Sequence, residues 1–113
     1  MNLNGCFKEF IKYEKDRVTK HTLENRKSQL NVHFLPVFGE FEPDDVGSMD
    51  IDEIYDTIPV VNTAFGFQDA ITSFYKFMCL YGMCKYNPVP GARKIKSAKR
   101  YYYNKKNTYA YTR

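Results

Sequence analysis

Three groups of side chains in this 113-residue sequence have types and spacings suited to gripping a phosphate backbone. Lys20, Thr22, Asn25, Arg26 and Gln29 fall in the opening turns of a helix-period segment. A helix N-terminus presents unpaired N–H groups and a partial positive charge, so a phosphate can dock there. Arg26 and Gln29 project from one side and carry the donors needed to reach base edges in a major groove. Thr72, Ser73 and Lys76 form a polar strip on an otherwise apolar helix, where short hydroxyls beside one lysine suit close approach to a backbone. Arg93, Lys94, Lys96, Lys99 and Arg100 then place five basic residues within eight positions.

The charge distribution points the same way. Residues 1–69 hold seven Lys/Arg against thirteen Asp/Glu, whereas residues 70–113 hold ten Lys/Arg and no acid, so the net charge of +4 conceals a polarised chain. Uncompensated positive charge favours a polyanion, and neutralised phosphates release counterions that supply sequence-independent affinity. Double-stranded DNA is therefore the expected partner. The alternative is a small helical adaptor whose basic tail binds an acidic partner protein.

Other function classes find little support. His21 and His33 have no carboxylate or cysteine constellation around them, which argues against a catalytic base or a metal ligand. Cys6, Cys79 and Cys84 lack the paired spacing of a zinc site. Gly5, Gly66 and Gly82 make no phosphate-cradling loop. No metal, cofactor or small-molecule substrate is expected, and the chain itself should not be an enzyme. No apolar run reaches the ~20 residues of a membrane span. With reduced thiols and no signal-peptide pattern at Met1, the expected location is cytoplasmic, on the nucleoid when bound to DNA.

The elements that must position these residues are helical. Cys6, Phe7, Phe10 and Ile11 mark a first amphipathic helix with Asn4 as its expected N-cap. Thr22 is the expected cap of a second helix, whose Leu23, Leu30, Phe34 and Phe38 share one side. That helix should weaken at Pro36 and stop at Gly39 in a left-handed conformation. An acidic loop leads to a short third helix through Ile51, Ile54 and Tyr55, capped by Ser48 or Asp50. Asn62 or Thr63 should open a fourth helix running to Tyr81 and closed by Gly82; apolar around most of its circumference, it reads as the buried centre. The fold class is all-α, a compact four-helix bundle over residues 1–86, with residues 87–113 an extended basic linker. The acidic stretch Glu40–Asp56 is expected to face away from DNA or to meet a neighbouring protomer's basic linker.

Thr22, Phe34-Leu35-Pro36-Val37-Phe38-Gly39, the Ile51/Ile54 helix, Gly82 and Tyr86-Asn87-Pro88 occur in an order that resembles the core-binding, SAM-like N-terminal domain of the tyrosine recombinase (phage integrase) family. Arg26 departs from the pattern by standing where the family often has Tyr. The resemblance implies a domain that docks on DNA through its second and fourth helices and self-associates on DNA as part of the full-length protein. It also implies a separate catalytic domain with an arginine pair, a lysine, a His-x-x-Arg box and a nucleophilic tyrosine. None of these settings occurs here, so the chain is expected to be a fragment that binds and does not cut.

Overall fold

The computed structural model describes residues 1–93, and among them the chain is all-α, with no strand. Five helices follow in order: α1 Leu3–Glu14, α2 Lys20–His33, α3 Leu35–Phe38, α4 Ser48–Asp56 and α5 Val61–Leu80. Two 3-10 turns, Pro43–Asp45 and Val89–Gly91, punctuate the connections. The four expected helices are present, and the single turn α3 is the addition.

That addition has a local cause. Pro36 lacks an N–H, and its ring would collide with the carbonyl four residues earlier, so α2 cannot continue through it. The break falls at Phe34 (φ −116°, ψ −58°), and a new turn begins with Pro36 in its first positions. Gly39 does not take the expected left-handed conformation; its φ is −55°. Glycine is required there for space instead. A Cβ would stand 2.5 Å from Asn4 Oδ1 and 2.6 Å from the Leu35 carbonyl oxygen. That close approach lets the Gly39 carbonyl accept the Asn4 N–H at 2.8 Å, docking the start of α1.

The caps also lie earlier than expected. Asn2, not Asn4, caps α1 by accepting the Gly5 N–H at 2.9 Å. Thr19, not Thr22, caps α2: its Oγ1 accepts the Thr22 N–H at 3.2 Å. Both helices therefore begin with a side chain that satisfies one of the orphan N–H groups of the first turn. Gly47 occupies the cap position of α4, and Asp50 reaches back to accept its N–H at 2.8 Å. Val60 precedes α5 without a side-chain cap, so neither Asn62 nor Thr63 has that role. Gly82 behaves as expected: it takes φ +75°, and the Met83 N–H closes onto the Met78 carbonyl at 2.8 Å. This is a Schellman closure, for which glycine is favoured because the left-handed region carries no Cβ penalty.

α5 is the axle of the body. Phe67, Ala70, Ile71, Phe74, Tyr75 and Met78 on it are fully buried, joined by Leu3, Cys6 and Phe10 from α1 and by Leu30 and Phe34. The Phe74 ring meets Phe10 at 5.2 Å, Phe7 at 6.3 Å and Phe34 at 6.3 Å between centroids, mostly edge-on or tilted. Such geometries set the positive edge of one ring against the negative face of another. The Tyr75 hydroxyl donates to the Pro43 carbonyl at 2.9 Å in the interior, tying the acidic loop to α5. Burial pushes this phenol well above its ordinary pKa, so it remains a donor.

The segment after α5 does not leave the body at residue 86. Cys84, Pro88 and Ala92 are buried against it. Asp44 fastens the start of this segment by accepting the N–H groups of Lys85 (2.9 Å) and Tyr86 (3.1 Å), with the Cys84 thiol 3.2 Å away. The Tyr86 N–H foremost, with Cys84 and Lys85 adding to it, holds the Asp44 carboxyl below the ordinary carboxylate range. A depressed carboxyl stabilises the fold above its unfolded pKa and ceases to do so as pH falls through the folded value. Protection of the Lys85 and Tyr86 amides against hydrogen exchange should therefore hold from pH 7 to about pH 4 and collapse below it. In Asp44→Ala the same amides should be unprotected throughout.

Candidate nucleic-acid interface

α2 and α5 lie against one another with residue numbers running in opposite directions. Arg26 meets Asp69, and Gln29 meets Gly66. Gly66 leaves the room, since a Cβ there would stand 2.7 Å from Gln29 Nε2. The N-terminus of α2 is thereby brought beside the second half of α5. Between this end of α2, the last turn of α1 and α5 opens a cleft of about 440 Å³, whose walls include Tyr13, Arg17, Arg26, Ser73 and Lys76.

Three of the side chains singled out from the sequence, Arg26, Ser73 and Lys76, thus share one cleft. The Arg26 guanidinium is engaged within the chain. Its Nη1 lies 3.1 Å from Glu14 Oε2, and its Nε and Nη2 lie 2.9 and 3.3 Å from the two oxygens of Asp69. The planar guanidinium suits this forked arrangement, which a lysine could not reproduce. The hydrogen bond to Asp69, followed by the charges of both carboxylates, raises the Arg26 pKa further above its already high ordinary value. Arg26 therefore ties α1, α2 and α5 together.

Gln29 is likewise directed at the body. Its amide turns onto α5, and its Oε1 is buried with no hydrogen-bond partner among the described residues. Thr22 is half-buried, with its Oγ1 3.0 Å from that of Thr19. Lys20 and Asn25 are exposed on α2, the Asn25 amide lying 3.2 Å from His21 Nε2. On α5, Thr72 and Ser73 are half-buried and Lys76 is exposed. Arg93 is not in the cleft; it lies on α4, with Nη2 2.8 Å from Asp56 Oδ1. Lys94, Lys96, Lys99 and Arg100 lie outside the described residues, as do Tyr101–Tyr103.

Two cleft residues escaped the sequence reading. Arg17 stacks its guanidinium 4.6 Å from the centre of the Tyr13 ring. Tyr13 packs in turn on Phe77 and Tyr81, at 4.8 and 5.4 Å. Arg17 stands in the turn that follows α1, so the available signal was only its four-residue separation from Tyr13. Among the described residues neither Arg17 nor Lys76 forms an ion pair, so both charges are available at the cleft mouth.

Residues 3–57 match the family model described as phage integrase, N-terminal SAM-like domain. The matched segment belongs to that domain family. The match runs from the start of α1 to the residue after α4 and leaves out α5. Comparisons with curated proteins and with solved structures return no match. Arg26, inside the matched segment, is tied by ion pairs to Glu14 in the same segment and to Asp69 on α5. The cleft consequently has one wall inside the matched domain and one outside it.

The Arg26 cluster makes a sharp stability prediction. The Glu14 side chain is 8% exposed and that of Asp69 55%. Arg26→Met should cost about 3–5 kcal/mol in urea unfolding, because it leaves the Glu14 carboxylate buried and unpaired. The Glu14→Leu/Arg26→Met double variant should regain most of that loss, since an apolar pair of similar volume carries no desolvation penalty. Asp69→Asn should cost no more than about 1 kcal/mol, as expected of a partner open to solvent.

Proposed function

We propose that this chain binds duplex DNA as the core-binding domain of a site-specific tyrosine recombinase, holding the duplex in place for integration or recombination. The observation that carries the proposal is the family match over residues 3–57. The cleft supplies a physical route to it. Arg17 and Lys76 provide cations with no ion-pair partner among the described residues, Ser73 a short hydroxyl, and α2 an N-terminus with no acid in its first turn. Thr19 takes the Thr22 N–H, which leaves the N–H groups of Lys20 and His21 without partners among the described residues. A phosphate seated there gains charge-assisted hydrogen bonds and the partial positive charge of the helix end.

In this reading backbone contacts come from Arg17, Lys20, Ser73 and Lys76 on the body, with Thr72 and Asn25 beside them. The basic run Lys94, Lys96, Lys99 and Arg100 extends the contact along the duplex. Such contacts set register and affinity and carry little sequence information. Strand cleavage belongs to a catalytic domain elsewhere in the parent recombinase, which also self-associates on the DNA site. This chain then acts in the cytoplasm, on nucleoid DNA.

Titrating fluorescent duplex DNA at rising salt tests the proposal. About six phosphate contacts give a log–log slope near −5. Lys76→Ala and Arg17→Ala should each make the slope shallower by about 1. Lys8→Ala, on the opposite part of α1 beside Phe7 and Ile11, should leave it unchanged. A slope indistinguishable from zero contradicts DNA binding. An adaptor for an acidic protein would respond to charge reversal at Lys94, Lys96 and Lys99 but not to Lys76→Ala.

A further inference from the structure

α4 carries Ser48, Asp52 and Asp56 at intervals of four, which places them on one helical stripe. Its buried residues Ile51, Ile54 and Tyr55 face the core, so the polar stripe is not needed for folding the helix onto the body. The chain returning from α5 lies along it. The Ser48 hydroxyl donates to the Pro88 carbonyl at 2.6 Å, and Gly91 passes so close that a Cβ would stand 2.5 Å from Ser48 Oγ. The Asp52 carboxylate accepts the Arg93 N–H, and the Asp56 carboxylate accepts from the Arg93 guanidinium at 2.8 Å.

Asp56 is a poor choice by local rules. It sits in the last turn of α4, where the helix dipole is negative, and that turn contains no basic residue. Arg93 supplies the missing cation. It is also the first member of the basic run that continues in sequence through Lys94, Lys96, Lys99 and Arg100. Asp56 thus holds the leading cation of that run as a phosphate oxygen would, while Asp52 anchors the backbone N–H of the same residue.

We propose that this stripe is an autoinhibitory strap: Asp56 stands in for a phosphate on the Arg93 guanidinium, Asp52 anchors the Arg93 backbone, and together they keep Arg93 on the body until duplex DNA competes for it. An ion pair with a 36% exposed Arg93 side chain and a 58% exposed Asp56 side chain is weak and salt-screened, which suits a contact made to be exchanged. The strap itself is an intramolecular contact. Its exchange for phosphate rests on the DNA-binding reading above.

Two measurements on the full chain decide the proposal. Without DNA, Asp52→Asn/Asp56→Asn should release the 1–93 fragment about tenfold faster on brief trypsin treatment, followed by mass spectrometry; an unchanged rate overturns the strap. With duplex DNA, the same variant should bind about threefold more tightly, with a salt slope steeper by about 1 as Arg93 gains a phosphate. Glu40→Gln/Glu53→Gln removes the same charge from exposed acids that do not touch Arg93, and it should leave cleavage rate and slope unchanged. If the control matches the strap variant in both readouts, general electrostatics accounts for the effect and the proposal fails. If the strap variant is cleaved faster but its DNA slope does not change, competition with DNA is overturned. If the unaltered chain shows no salt-dependent DNA binding, the DNA-binding reading falls, and the trypsin result still decides whether the strap exists.

Discussion

The Glu14 carboxylate lies at the end of α1 with 6% of its residue surface exposed, a position where an ion without a partner would be strongly disfavoured. The Arg26 guanidinium makes that position tenable, and because it also grips Asp69 it fixes three helices at one point. Ridge-into-groove packing of the aromatic core would permit small slides of α2 along α5. A forked hydrogen-bonded ion pair does not, because its geometry is directional. The shape of the cleft follows from that constraint, since Arg17 leaves the end of α1 and Ser73 and Lys76 leave α5 on either side of the clamp.

Acids and bases are then used differently across the molecule. Glu14, Asp44, Asp52, Asp56 and Asp69 all accept hydrogen bonds from this same chain. Arg17, Lys20 and Lys76 have no such acidic partners among the described residues. Intramolecular pairing thus uses up many of the carboxylates that would repel a polyanion and leaves cations free at the cleft. The polarity seen along the sequence becomes a polarity of availability in space.

Much of the fold was legible because it follows from local rules. The apolar faces of α1 and α5, the stop at Gly82 and the weakening at Pro36 each depend on a residue's own backbone preferences or on helical period. The misplaced caps arose because Asn2 and Asn4, or Thr19 and Thr22, are equivalent by residue type; for the first pair the tertiary docking of Asn4 on Gly39 separates them. The site was legible in part for the same reason. Ser73 and Lys76 stood out as polar breaks in an apolar helix, and they do line the cleft. The intramolecular surroundings of Arg26 and Gln29 were not legible, because contacts 43 and 37 positions away in sequence leave no trace in local spacing. The docking of residues 84–93 on the acidic elements was hidden likewise, since proline and glycine chemistry describes an extended path without saying where it lies.

Amide-resolved chemical-shift mapping during titration with a duplex tests the central claim most directly, because it reports where the polyanion sits as well as whether it binds. The account predicts that Arg17, Lys20, His21, Ser73 and Lys76 shift first and saturate together, while Lys8 and Lys12 on the other face of α1 stay still. Shifts confined to Lys8, Lys12 and Lys27, or no shifts among the cleft residues at saturating duplex, would contradict it.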